Sequence, residues 1–272
     1  MEKLDFESFK HFESWIEELQ LKQKQASMET DSYFTPLLFR GHADDSWPLQ
    51  TTLERECPKV TTMNEYLGAA ARIKHQVELY SGKSWPPIVD KSGRLIEDDT
   101  NPYLNAGIPS LEYLVYLRHH GFPSPLLDWT RSPYIAALFA YSGADENNGD
   151  KVAIFVQQLF NGNLEDYLPT PATQIFTIGP YMDTHRRHSV QQAQYTLCFN
   201  RIKTLLGPDY ELQSHEEYRK RYPKKLYKIT LPKNEKYKVL SKLDQFNLNL
   251  HSLYGSEEAL MSTLALREFH LK

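Results

Sequence analysis

Leu126-Leu127-Asp128-Trp129-Thr130-Arg131-Ser132-Pro133-Tyr134-Ile135-Ala136-Ala137-Leu138-Phe139-Ala140-Tyr141 is the stretch on which the fold turns. An apolar pair leads into a carboxylate, an indole and a hydroxyl, and a helix start follows at once, with Ser132 as N-cap and Pro133 as first helical residue. Tyr134 to Tyr141 is apolar on every side, so this helix is expected to be buried. Its amino end then offers a positively polarised pocket suited to an anion. Upstream, Pro36-Leu37-Leu38-Phe39 reads as a strand that delivers Arg40 at its end and breaks at Gly41, where the backbone can take φ > 0 or approach a ligand closely. A guanidinium fixed there can grip a phosphate or carboxylate through two parallel hydrogen bonds.

The chain has 272 residues, 40% of them hydrophobic and 12% aromatic, enough for a sizeable core. A net charge of −4 and a pI near 6.2 argue against a broadly basic nucleic-acid binder and leave room for local patches. Cys57 and Cys198 make neither a disulfide framework nor a thiolate metal cluster. The charged start Met1-Glu2-Lys3 and the lack of an apolar run near the ~18 residues of a membrane span suggest a cytoplasmic protein with no membrane partner.

Leu4 to Gln25 is predicted as a helix, with Phe6, Phe9, Phe12, Trp15, Ile16 and Leu19 at helical spacing. Thr62 to Tyr80 and Ser110 to His120 are further helices, separated by an irregular connection, Ser81 to Pro109, of a length common in lids and insertions. Strands are expected at Lys151–Val156, Ile175–Ile178, Gln194–Phe199 and Leu226–Leu231, then helices at Glu235–Leu243 and Ser256–Phe269. The order is irregular, which favours an α+β fold with a mixed sheet core and helical elements at both ends.

Phe39-Arg40-Gly41, the following Trp47-Pro48-Leu49, and the block Leu127-Asp128-Trp129-Thr130, Pro133 and Ala137-Leu138-Phe139-Ala140 together resemble the bacterial and phage FRG-domain proteins. The resemblance covers roughly residues 37 to 199. This chain departs from the family pattern in Arg118-His119-His120, where Gln-His-Tyr is usual, and in Ser124-Pro125, where Thr-Arg is usual. It implies one domain over 1–272: an N-terminal helix in 1–30, a core in 31–232 carrying the insertion 81–109, and C-terminal helices in 233–272. The order of parts is also similar to the ADP-ribosyltransferase superfamily, a likeness at the level of fold. That similarity implies NAD as substrate, with Arg40 and Gly41 at its phosphates and Trp129 and Thr130 bracing the nicotinamide side. Where that superfamily carries a glutamate, this chain reads Gln191-Gln192, so Asp128, His119, His120 and Gln192 are the catalytic candidates.

Plainer roles stand beside these. Arg40 can brace a turn or pair with Asp128, Asp128 can cap a helix, Trp129 can be core, and His119 and His120 can cap a helix carboxyl end. Neither His119-His120 nor His185 with His188 has metal-ligand spacing, so no metal is expected. His185-Arg186-Arg187-His188, Arg219-Lys220-Arg221 and Lys224-Lys225, with Tyr218, Tyr222 and Tyr227 interleaved, can track a nucleic-acid backbone or form a solvated surface. Three functions follow: an NAD-using toxin or effector in bacterial conflict or phage defence, a nuclease-like RNA-targeting enzyme, or a non-catalytic nucleotide sensor. The acceptor, protein or nucleic acid, is open, as is any antitoxin or defence-system partner.

Overall fold

The computed structural model describes residues 1–30, 36–91, 94, 96, 108–158, 174–179, 182, 185–204, 207–221 and 226–271. Its centre is an eight-stranded mixed sheet. In chain order the strands are β1 (Glu2–Asp5), β2 (Leu38–His42), β3 (Leu127–Thr130), β4 (Lys151–Gln157), β5 (Gln174–Ile178), β6 (Ala193–Thr204), β7 (Gly207–Leu212) and β8 (Leu226–Pro232). Across the sheet they run β1-β8-β4-β2-β3-β6-β5, and β7 pairs the later part of β6. β1 runs parallel to β8, and the remaining pairs are antiparallel.

The helices are α1 (Phe9–Thr30), α2 (Thr52–Glu56), α3 (Met63–Ser81), α4 (Leu111–His119), α5 (Pro133–Gly143), α6 (Arg186–Val190), α7 (His215–Arg221), α8 (Lys236–Gln245), α9 (Leu250–Tyr254) and α10 (Glu257–Phe269). One core joins α1, α5 and α8 to the sheet through Phe12, Phe39, Ala136, Ile154, Ile229 and Leu240. A second joins α3 and α4 to β6 through Met63, Tyr66, Leu114, Leu117, Tyr195 and Leu197. Alternation along β4 sends Val152, Ile154 and Val156 into the first core, while Ala153 and Phe155 join Leu38, Leu127 and Trp129 in a third.

The helix expected over Leu4–Gln25 is replaced at its start by β1. Glu2 to Asp5 pair with Tyr227 to Thr230, a partner far away in sequence that no local periodicity reveals. The helix proper begins at Phe9, after Ser8, whose Oγ accepts the His11 amide at 3.3 Å. It continues past the polar Lys22–Gln25 run to Thr30, through residues that favour helix. At α4, Ser110 makes no side-chain cap; its hydroxyl instead donates to the Pro86 carbonyl at 3.1 Å. The connection Ser81–Pro109 beyond α3 carries no helix among its described residues, and much of it (92–93, 95, 97–107) lies outside them.

α5 begins as its sequence dictates, with the Ser132 hydroxyl accepting the Ile135 amide and Pro133 in the first turn. It lies against β2 so closely that a Cβ at Gly41 would sit 1.9 Å from the Ala136 carbonyl oxygen and 2.8 Å from the Ala140 amide. Ala136 and Ala140, one turn apart, form the flat helix face that allows this approach. Gly41 is thus required by backbone-to-backbone packing. Gly41→Ala is expected to cost about 3 kcal/mol or more through overpacking, measured as a lowered urea midpoint at unchanged slope.

Candidate active site

The polar centre lies where β2 and β3 meet. Among the described residues the two strands share one register pair, Phe39↔Thr130. Beyond it, the guanidinium of Arg40 replaces a strand partner: its Nη1 donates to the Asp128 carbonyl at 2.8 Å. Its Nε donates to His42 Nε2 at 3.1 Å. Arg40 and His42 are two apart on one strand, so the pleat places both on the same face. Burial, opposed by Asp128, lowers the Arg40 pKa to about 10, which leaves it cationic at neutral pH. Burial first, then Arg40 and Lys228, lower His42 to about 3, so its ring is neutral, as its acceptor role requires.

Arg118 approaches Asp128 from the carboxyl end of α4. Its Nε and Nη2 donate to the two carboxylate oxygens at 2.9 and 2.6 Å, a bidentate pair, and Arg40 Nη1 lies 3.9 Å from the same carboxylate. The Asp128 side chain is 37% exposed and both arginines 16%, so solvent reaches the cluster from the carboxylate side. Arg40 Nη2 and Arg118 Nη1 make no hydrogen bond among the described residues and remain available to an anion.

Next to Arg118, His119 Nε2 lies 2.7 Å from the Tyr195 hydroxyl, and His188 Nδ1 lies 3.2 Å from the same oxygen. A hydroxyl set between two ring nitrogens donates to one and accepts from the other, so His119, Tyr195 and His188 form a continuous proton path. Burial is the main cause that lowers His119, to about 4, with Asp128 opposing it; burial, then Asp128, raises Tyr195. Arg187 closes this side, with its guanidinium 5.1 Å from the centre of the Tyr254 ring.

The sequence candidates are thus divided. Arg40, Asp128 and His119 converge. His120 instead lies among rings, its own 4.2 Å from that of Tyr116 and 5.4 Å from that of His185. Trp129 is buried, its indole donating to Thr196 Oγ1 at 2.8 Å. Thr130 Oγ1 donates to the Gln191 carbonyl at 2.7 Å and accepts the Ser132 amide, so it braces the turn before β6. Gln192 sits exposed on that turn at φ +48°, and Gly41 packs under α5. At the start of α5 the Ser132 and Ile135 amides are already taken by Thr130 and Ser132, so they add no donor for an anion beside the arginines. Of the basic stretch, residues 222–225 lie outside the described residues, and Tyr227 packs on Trp15 at 5.1 Å.

Sequence reasoning gave no site role to Arg118, Tyr195 or Tyr254, nor to His42, and named Arg187 only as part of a basic run. Only His42 carried a usable signal, its two-residue offset from Arg40. Among the described residues, no group of three or more His, Cys, Asp or Glu side chains is placed to hold a metal, and no helix is long and apolar enough to cross a membrane. A separate cavity of about 180 Å³, lined by Leu53, Val60, Pro125 and Leu212 among others, touches none of these groups.

The chemistry has a signature in pH. His119 and His42 have folded pKa values of about 4 and about 3, below the ordinary 6.5. The stability that their neutral burial confers is full above 6.5 and is lost as pH falls through the folded values. Nitrogen NMR is therefore expected to show both rings neutral from about pH 8 down to about pH 5. His119→Gln should flatten the acid limb of the urea-stability profile.

Residues 35–149 match the family model of the FRG domain, a match that supports the FRG-domain family. No curated protein and no solved structure matches the chain.

Proposed function

From the FRG-domain match and the paired arginines, we propose that this protein is an ADP-ribosyltransferase-like enzyme that uses NAD, as a toxin or effector in bacterial conflict. The observation that carries this reading is the convergence of Arg40 and Arg118 on one carboxylate, each with a guanidinium nitrogen that makes no hydrogen bond among the described residues. That donor set suits a diphosphate, whose oxygens accept from two planar forks at once.

In this reading, ligand phosphate competes with Asp128 for Arg118 and frees the carboxylate to face the ribose. There its charge stabilises the oxocarbenium-like state as the C–N bond to nicotinamide breaks and the bonding pair leaves with the nicotinamide nitrogen. The acceptor attacks the ribose carbon and gives its proton to His119, neutral at pH 7, with Tyr195 and His188 behind it. Gln192, exposed just before β6, would hydrogen-bond a sugar hydroxyl in this reading.

A second reading, an RNA-cleaving enzyme, is favoured by one observation. The His119–Tyr195–His188 path supplies proton transfer, while Asp128 is held by Arg118. Nicotinamide release by purified protein separates the two. Wild type should release nicotinamide; Arg40→Ala should lose ligand affinity by roughly 10- to 100-fold. Asp128→Asn should retain binding while turnover falls by about 100-fold or more. RNA cleavage without NAD consumption, or full activity in Arg40→Ala, would replace this reading.

A further inference from the structure

A line of rings leads away from the proposed catalytic centre. His185 lies 6.4 Å from His119 and 5.4 Å from His120, between ring centres. His120 lies 4.2 Å from Tyr116, and Tyr116 lies 4.8 Å from Trp85. Adjacent members are tilted by 39° to 89°, so they do not close into one stack. His120 is exposed, and Trp85, Tyr116 and His185 are half-buried. Trp85 packs one side on the second core, 5.1 Å from the buried Tyr113 ring, while each of the four rings keeps an edge or face in water.

Two cations lie along the row. The exposed Lys83 lies 5.3 Å from the centre of the Tyr116 ring, and Arg187 stands at the inner end over Tyr254. Among the described residues, the charged groups acting on His120 are Arg187 and Lys83, those acting on His185 are Arg187, His120 and Lys83, and no carboxylate is among them. The nearby Glu78 is spent on Lys74 and on the Trp85 amide. In a chain of net charge −4, the described residues form here a local positive strip interleaved with aromatic faces.

We propose that the strip of Trp85, Tyr116, His120 and His185, with Lys83 and Arg187, binds single-stranded nucleic acid and feeds it to His119 as the acceptor of ADP-ribose. The identity of the transfer rests on the NAD reading above; the binding does not. Aromatic faces accept any unstacked base, and the two cations follow the backbone, the combination used by proteins that hold single strands. A duplex hides its base faces and fits this strip poorly.

The test uses the full chain and fluorescent single-stranded RNA, single-stranded DNA and duplex DNA of about 12 nucleotides, a length within the usual single-strand site sizes. Anisotropy should show single strands bound in preference to duplex, and RNA against DNA identifies the sugar. Trp85→Ala should weaken binding by about 10-fold or more. Lys83→Glu, at an exposed position that folding does not need, should weaken it too and flatten the salt dependence by about one phosphate contact. Nicotinamide release without acceptor should be unchanged in both variants, while transfer of labelled ADP-ribose to the oligonucleotide falls. Single-strand binding that depends on Trp85 and Lys83 without any nicotinamide release would retain the strip and remove the NAD reading. No oligonucleotide binding, binding insensitive to both variants, or label carried only by protein would overturn the proposal.

Discussion

Two guanidinium groups that repel one another are held at the centre of this sheet by one carboxylate. Arg118 grips Asp128 through both oxygens, and Arg40 stands 3.9 Å from the same carboxylate while donating to the Asp128 backbone. In the partly dry gap between β2 and β3, Coulomb repulsion between the cations is only weakly screened, so the carboxylate sets how close they come. The gap exists because β2 and β3 pair through Phe39↔Thr130 and then rely on a side chain where a ladder bond would stand. On the other face of β2, α5 leaves no room for a Cβ at Gly41. β2 is thus pinned from one side by backbone contact and from the other by charge.

The same geometry decides the protonation of the site. Burial acts against charge on His42 and His119 and keeps both rings neutral, while the guanidinium groups of Arg40 and Arg118 stay close by. Fixed positive charge and neutral imidazole are thereby separated by residue type, and binding an anion need not compete with moving a proton. Asp128 couples the two systems. It opposes the fall in the His119 pKa, so any ligand that draws its carboxylate away changes the histidine as well as the arginines.

Elements with strong local chemistry were legible in the chain. α5 is announced by Ser132, Pro133 and an unbroken apolar run, and β4, β5, β6 and β8 by short apolar segments whose ends shift by at most five residues in the structure. β1 was not legible, because four mostly exposed residues carry no pattern of their own and gain strand structure only from β8. The short helices α6 and α9 were hidden for a related reason: five residues are too few to show a period. In the site, Arg40 and Asp128 stood out as charges beside apolar runs. Tyr195 did not, since a tyrosine alternating along a strand reads as ordinary core, and its hydroxyl gains meaning only between His119 and His188.

The sequence alone determined that this is a mixed α and β chain with a buried helix after Asp128-Trp129-Thr130 and an arginine on an early strand, although that strand does not break at Gly41 as expected but runs through it to His42, where Gly41 and His42 pair with Ile154 and Ala153. These features rest on neighbours within a few residues, where capping, alternation and backbone freedom act. Tertiary structure decided the rest. It gave Gly41 to helix packing, Trp129 to the core and Thr130 to a turn, and it added Arg118, Tyr195, His188 and Arg187 to the cleft. Those assignments depend on which strands lie side by side, because a hydrogen bond or an ion pair acts over a few ångströms of space, whatever the distance along the chain.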